Sequence, residues 1–211
     1  MAQRVLRPAN ITYLAAFTAL SVSVGLGVWN GFDFWSMLAL QKPATKALDC
    51  LASSVSVLGS PEFTGISMAV AALYAWYRFG LHAAFGIVAA MSVGTAIEIA
   101  GKQWVSQAFI PPELHRSCGG FSGLVYMHLP MLNSYPSGHM FRFAFIALLA
   151  ARFLTEGKHK RMGANFAAAL IIACVVMALT RVYIGDHWAS DVIGALLLAH
   201  LTVLWVPKLS N

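Results

Sequence analysis

Apolar residues along this chain come in long unbroken runs separated by polar stretches, with no two-residue alternation. Six runs, at residues 11–30, 62–79, 81–101, 139–156, 163–184 and 187–207, approach the roughly 17 to 25 residues a helix needs to cross a hydrocarbon core. Lipid admits only helices or closed barrels, and barrel strands would alternate. The pattern therefore predicts an all-α, polytopic membrane protein with six transmembrane helices in one bundle. Two connections are too long for turns. Residues 31–61 hold "FDFWSMLAL" and "ALDCLASSVSVLG", broken by Pro43, Gly59 and Pro61, which predicts an interfacial helix between spans 1 and 2 with Trp35 at headgroup depth. Residues 102–138 are punctuated by Pro, Gly and Ser, and so long a connection in a compact protein is usually functional or mobile. With no internal repeat and no linker-like segment, residues 1–211 read as a single domain.

Composition supports this reading: 59% of residues are hydrophobic and 10% charged, where a soluble domain carries about 25% charged residues. Charge adds an orientation. Arg4, Arg7, Arg78, Arg152, Lys158, Lys160, Arg161 and Lys208 gather at one set of helix ends with Glu156 as their only acid, and short cytoplasmic loops are the ones enriched in Lys and Arg. Both termini are accordingly placed in the cytoplasm, and residues 31–61, 102–138 and 185–187 outside. The net charge of +6 then reflects topology and attraction to anionic membrane lipids; scattered over loop ends, it gives no basic face for nucleic acid. No small-residue cleavage site follows the first run, which is read as a retained anchor. Cys174 falls in a span. Cys50 and Cys118 both fall outside, where a disulfide can form, but spacing alone does not bring them together, and small buried thiols are the favoured reading.

Ionisable groups at membrane helix ends are costly and need partners, so each is a candidate for function. Glu98, Lys102, His139, Arg142, Arg181, Asp186, His187 and Asp191 all fall at the predicted outer face. Interfacial anchoring suits single Lys or Arg residues but not two histidines and an aspartate at one level. His187 and Asp191 are four apart, so on a helix the carboxylate can hold one imidazole nitrogen and leave the other as a base or nucleophile. In "YPSGHMFRF", Pro136 suits a first helical turn, while Ser137 and Gly138 put a hydroxyl and free N–H groups where an anion would bind, beside His139. Asp186 reads as a helix N-cap.

These residues resemble the type-2 phosphatidic acid phosphatase superfamily, membrane lipid phosphatases related to the vanadium haloperoxidases, whose motifs are K-x6-R-P, P-S-G-H and S-R-x5-H-x3-D. The second stands complete as Pro136, Ser137, Gly138 and His139. The third reads "TRVYIGDHWASD", matching at Arg181, His187 and Asp191 with Thr180 for the serine. The first is partial: Lys102 fits, but Phe109 stands where the arginine is expected, and phenylalanine cannot supply a guanidinium fork for phosphate. Arg142 is the favoured replacement and Arg116 the other candidate. Glu98 offers a rival account, pairing with Arg142 or Lys102 and making it structural.

The resemblance implies metal-independent phosphoryl transfer: His187 as nucleophile forming a phosphohistidine, Asp191 orienting it, and His139 as acid and then base. Lys102, Ser137, Gly138, Arg181 and Arg142 would hold the phosphate oxygens. No cluster has metal-ligand spacing, so neither metal nor other cofactor is predicted. A site at the outer boundary implies a lipid phosphate in a bacterial inner membrane, entering laterally and reacting at the periplasmic face. Isoprenoid diphosphates such as undecaprenyl diphosphate, phosphatidylglycerol phosphate, phosphatidic acid and lipid A phosphates all fit. A lipid phosphotransferase would use the same residues, and a non-catalytic lipid-phosphate-binding member is the alternative that Phe109 raises. A transporter is disfavoured because the polar groups cluster at one face and not at mid-membrane.

Overall fold

The computed structural model describes residues 8–118, 133–155 and 160–207. Among these residues the structure is all-helical: α1 (Pro8–Gly25), α2 (Asn30–Gln41), α3 (Lys46–Ser56), α4 (Pro61–Phe79), α5 (Leu81–Trp104), α6 (Gly138–Thr155), α7 (Lys160–Tyr183) and α8 (Ala189–Trp205), with 3-10 turns at Val57–Gly59 and Pro112–Leu114.

Local chemistry sets the boundaries. Thr45 opens α3 by accepting the Leu48 N–H at 3.2 Å, and Ser60 opens α4 by accepting that of Phe63 at 3.2 Å, with Pro61 in the first turn. In both cases a side-chain oxygen satisfies one of the N–H groups that a helix start leaves without an intrahelical partner. The first apolar run does not make one straight helix to residue 30. It stops at Gly25, and α2 leaves at 91° to α1. Gly27 lies in the break with φ 74°, a left-handed conformation that glycine adopts without steric cost.

The six predicted spans are only partly carried by helix length and composition. Leu81–Trp104 and Asn165–Tyr183 are long and apolar enough to cross a membrane, and counting each of two bent pairs, Asn10–Gly25 with Asn30–Gln41 and Lys46–Gly59 with Pro61–Phe79, as one span raises the number from two to four. The 17-residue α8 is apolar but shorter. Where one interfacial helix is predicted, α2 and α3 stand in succession, and α2 buries Asp33 and Met37 instead of lying wholly at the surface.

α6 and α8 form the centre. α7 packs on α6, α5 and α1 pack on α8, and α4 packs on α5. Met140, Phe141, Phe145 and Leu149 of α6 and Ala195, Leu198 and Ala199 of α8 are almost completely buried, with Ile87 and Met177 closing on them. The outer faces of α5 and α7 are as apolar as this core: Phe85, Val88 and Val93, and Ile171, Ile172, Val175 and Leu179, are exposed. So extensive an apolar surface is costly in water and is the normal state of a helix facing lipid. The chain is a membrane protein.

Outside the bundle, Cys50 of α3 and Cys118 are joined in a disulfide with Cα atoms 4.4 Å apart, within the range a disulfide requires. This corrects the favoured reading of two separate thiols. The reason is tertiary: Arg116 donates Nε to Asp49 Oδ1 at 2.8 Å and its second guanidinium nitrogen to Oδ2 at 3.1 Å, while its backbone N–H donates to Ile184 O at 2.9 Å. These bonds lay the connection along α3. Cys174 is a free, half-buried thiol.

Candidate active site

The site is built where the starts of α6 and α8 meet. Ser137 precedes α6 and caps it: its backbone O accepts the Phe141 N–H at 2.9 Å, and its hydroxyl lies 3.4 Å from the Met140 N–H. Pro136 therefore stands just before the helix and not within its first turn. The Ser137 N–H donates to Asp191 O at 3.1 Å, which ties this turn to the first turn of α8. Gly138 is the first residue of α6 and His139 the second. A Cβ on Gly138 would come within 2.1 Å of Glu98 Oε1, so a side chain here would displace the Glu98 carboxylate from its place beside Arg142.

His187 lies in the turn between α7 and α8, not on α8 itself, yet its Nδ1 is 3.1 Å from Asp191 Oδ2. The Trp188 N–H donates to the same oxygen at 3.0 Å. Asp191 is fully buried and His187 nearly so. A carboxylate on Nδ1 favours the tautomer with the proton there and the lone pair on Nε2. Asp186 is not the N-cap of α8, which begins at Ala189; it accepts from Arg181 at 2.7 Å and lies 3.6 Å from His115 Nδ1. The capping is done by Asp191, and by Asp33 of α2, whose Oδ1 accepts the Ser190 N–H at 2.8 Å and whose Oδ2 accepts the Ser190 hydroxyl at 2.7 Å.

Lys102, Arg181 and Arg142 lie within electrostatic reach of both His139 and His187. Lys102 Nζ donates to Ser134 O at 3.0 Å. Arg181, buried to 3% exposure, donates to Asp186 and to the Ser56 hydroxyl of α3. Arg142 donates to Glu98 Oε2 at 3.3 Å and to Gly59 O at 3.4 Å, the pairing foreseen as the rival to a phosphate role. A groove of about 400 Å³ between α4 and α5, lined by Pro61, Thr64, Met68, Val88 and Met91, has Arg142 in its lining as well. Arg116 is committed to Asp49, and Phe109 is 80% exposed. Among the described residues no group of three or more His, Cys, Asp and Glu side chains is arranged to hold a metal ion.

Residues 110–211 match the family model of the PAP2 superfamily. The match covers 102 of the 211 residues, just under half of the chain. The whole chain also shares a PAP2 fold. It superposes with TM-score 0.76 and 17% identity, over 95% of its length and 94% of the other chain, on a structure described as the first transmembrane PAP2 type phosphatidylglycerolphosphate phosphatase, from Bacillus subtilis. No curated protein matches the chain in sequence. The PAP2 match begins at Ile110, past Lys102 and Phe109, so the departure from the first motif falls outside it.

Two polar residues that enter this site have no signal in the sequence motifs. One is Asp33, within a stretch read as interfacial. The other is Gln107, in the long connection, whose Nε2 donates to Asp191 Oδ1 at 2.7 Å. A buried carboxylate oxygen must have a donor, but the sequence does not say which residue supplies it.

Proposed function

We propose that this protein is a lipid phosphatase that hydrolyses a phosphate or diphosphate ester of a membrane lipid through a phosphohistidine on His187. The observation that carries the reading is the 3.1 Å pairing of His187 Nδ1 with buried Asp191, facing a set of cations and a second histidine. Nε2 attacks phosphorus, the bond to the leaving oxygen breaks, and His139 supplies the proton that oxygen takes. His139 then accepts a proton from water as the water oxygen attacks phosphorus, releasing phosphate and neutral His187. Lys102, Arg181, the Ser137 hydroxyl and the Gly138 N–H hold the phosphoryl oxygens, where fixed charge counts most as the transition state forms. Arg142 joins them by exchanging Glu98 for the substrate. No step is routed through a metal.

A lipid substrate is supported by the apolar groove between α4 and α5, whose lining includes Arg142 and which would give an acyl or isoprenoid chain a lateral path. The PAP2 neighbour named a phosphatidylglycerolphosphate phosphatase makes that lipid one candidate, beside phosphatidic acid and undecaprenyl diphosphate. A reaction at the periplasmic face is supported by the disulfide beside the site, since disulfides persist in oxidising compartments.

The test is phosphate release by detergent-purified protein from a panel of lipid phosphates in chelator, with H187A in parallel. Release that persists in chelator and vanishes in H187A is expected. Full activity in H187A would remove the nucleophile, and activity only with added divalent ion would remove the metal-independent scheme. Transfer of the phosphoryl group to a lipid acceptor, with no free phosphate, would make the protein a transferase.

A further inference from the structure

Asp191 is held from two sides. Its Oδ2 takes the contacts to His187 and Trp188, which come from its own turn; its Oδ1 takes Gln107 Nε2 at 2.7 Å from far along the chain, and the Ser134 hydroxyl also acts on the carboxylate. The hydrogen bonds around that amide decide its orientation. Gln107 Nε2 is also 3.1 Å from the Ser190 hydroxyl, whose proton is already given to Asp33 Oδ2 at 2.7 Å, so Ser190 can only accept from the amide. On the other side Gln107 Oε1 accepts the Ser134 hydroxyl at 2.7 Å. A flipped amide would point its carbonyl at a carboxylate and its N–H groups at a hydroxyl donor. Asp33, Ser190, Gln107 and Ser134 thus fix one arrangement.

The same segment holds the Lys102 end of the site. The Gln107 N–H donates to Asn133 Oδ1 at 3.2 Å, Asn133 donates back to Lys102 O, and Lys102 Nζ reaches Ser134 O. Next to Gln107, Ala108 O accepts the Trp188 indole N–H at 2.8 Å. The connection after α5 is therefore pinned onto the start of α8 by its backbone as well as by the glutamine side chain.

We infer that Gln107 is a positioning residue for the reaction: it fixes the rotation of the Asp191 carboxylate and through it the direction in which His187 Nε2 is aimed. The inference rests on the phosphohistidine reading above. In a water-poor site the loss of one donor leaves the carboxylate short of a hydrogen bond and lets it turn. Misaimed by even a fraction of an ångström, a nucleophile loses rate and not substrate affinity.

Steady-state kinetics on three variants test it. Gln107→Leu keeps the volume and removes the donor; Gln107→Glu keeps the shape and sets a second carboxylate against Asp191; Ser134→Ala removes the bond that orients the amide together with the hydroxyl's own contribution to Asp191. Expected are a fall in kcat on the order of 10- to 100-fold for Gln107→Leu, a larger one for Gln107→Glu and a several-fold one for Ser134→Ala, each with KM within about twofold. The acid limb of the pH profile of kcat should move in Gln107→Leu, because the contact setting the basicity of His187 is loosened. Unchanged kcat, or a change confined to KM, would overturn the inference, the second by making Gln107 a brace for Lys102. If Gln107→Leu fails to fold, as read by thermal unfolding, the near-isosteric Gln107→Glu and Ser134→Ala decide by the same criteria. Measured alongside, H187A separates the two levels: an active H187A sinks the phosphatase mechanism, while a dead H187A with full activity in the Gln107 variants sinks only this inference.

Discussion

Two regions at the same end of the bundle are held by different forces. Around the starts of α6 and α8 the groups are buried and held by hydrogen bonds, two of them between elements, Ser137 to Asp191 and Asp33 to Ser190, and one within the turn before α8, His187 to Asp191. Around α3 and residues 112–118 the ties are a disulfide and the Arg116–Asp49 pair, whose Arg116 side chain is 30% exposed. Desolvated hydrogen bonds are directional and costly to break, so they suit a place where geometry must be exact to a fraction of an ångström. Covalent and ionic ties near water tolerate local movement and mainly limit how far a segment can stray. The first region looks built to aim atoms, the second to retain a loop.

Variants that separate aiming from retention test this contrast. The largest effect is expected at His187 and Asp191: H187A should cut kcat by about 10⁴-fold or more and D191N by roughly 10²- to 10⁴-fold, read as phosphate release with fold checked by thermal unfolding. Arg142→Ala should lower kcat/KM by roughly 10- to 100-fold if the arginine exchanges Glu98 for phosphate. It also leaves a buried carboxylate unpaired, so the double variant with Glu98→Gln should recover stability without recovering activity. Normal turnover and affinity in both would make the pair purely structural. Next comes Cys118→Ser, which opens a disulfide across 68 residues and should cost about 2–4 kcal/mol of stability while leaving kcat within about twofold at temperatures where the protein stays folded. A large loss of kcat there would erase the distinction between the two regions.

The smallest expected effect is on acid stability. The Arg116 guanidinium and the Tyr183 hydroxyl beside Asp49 hold its carboxyl below the ordinary value of 3.8. A depressed carboxyl contributes stability that is fully present above the unfolded value and is lost as pH falls through the folded one. The contribution should therefore be intact above about pH 5 and fade below about pH 4, by about 0.5–1 kcal/mol for a pair this exposed. Arg116→Ala should remove that part of the acid dependence, measured as thermal midpoint against pH. An unchanged pH curve would mean the pair adds nothing to the disulfide beside it.

Features that depend on neighbours along the chain can be read from the residues alone. Long apolar runs specify lipid-facing helices, because backbone in hydrocarbon must bond internally. A Ser ahead of Gly138 specifies a helix start, and the spacing of His187 and Asp191 specifies a pair, all within a few residues. Even here the reading was partial. The run to residue 30 breaks at Gly27, Asp186 serves Arg181 instead of capping α8, and helix lengths carry two to four of the six expected spans.

Partners that lie far off along the chain are set by how the helices pack. Gln107 meets Asp191 across 84 residues, Asp33 meets Ser190 across 157, and Cys50 meets Cys118 across 68. Such contacts leave no period in the sequence. Gln107 looks like any polar loop residue, and Asp33 like one acid in an amphipathic stretch. Arg142 shows the same limit from the other side: the sequence allowed phosphate or Glu98 as its partner, and the packing of α5 against α6 over Gly138 brought Glu98 to it. A buried charge requires a counterpart, which the sequence can state; which group arrives is settled by how the helices pack.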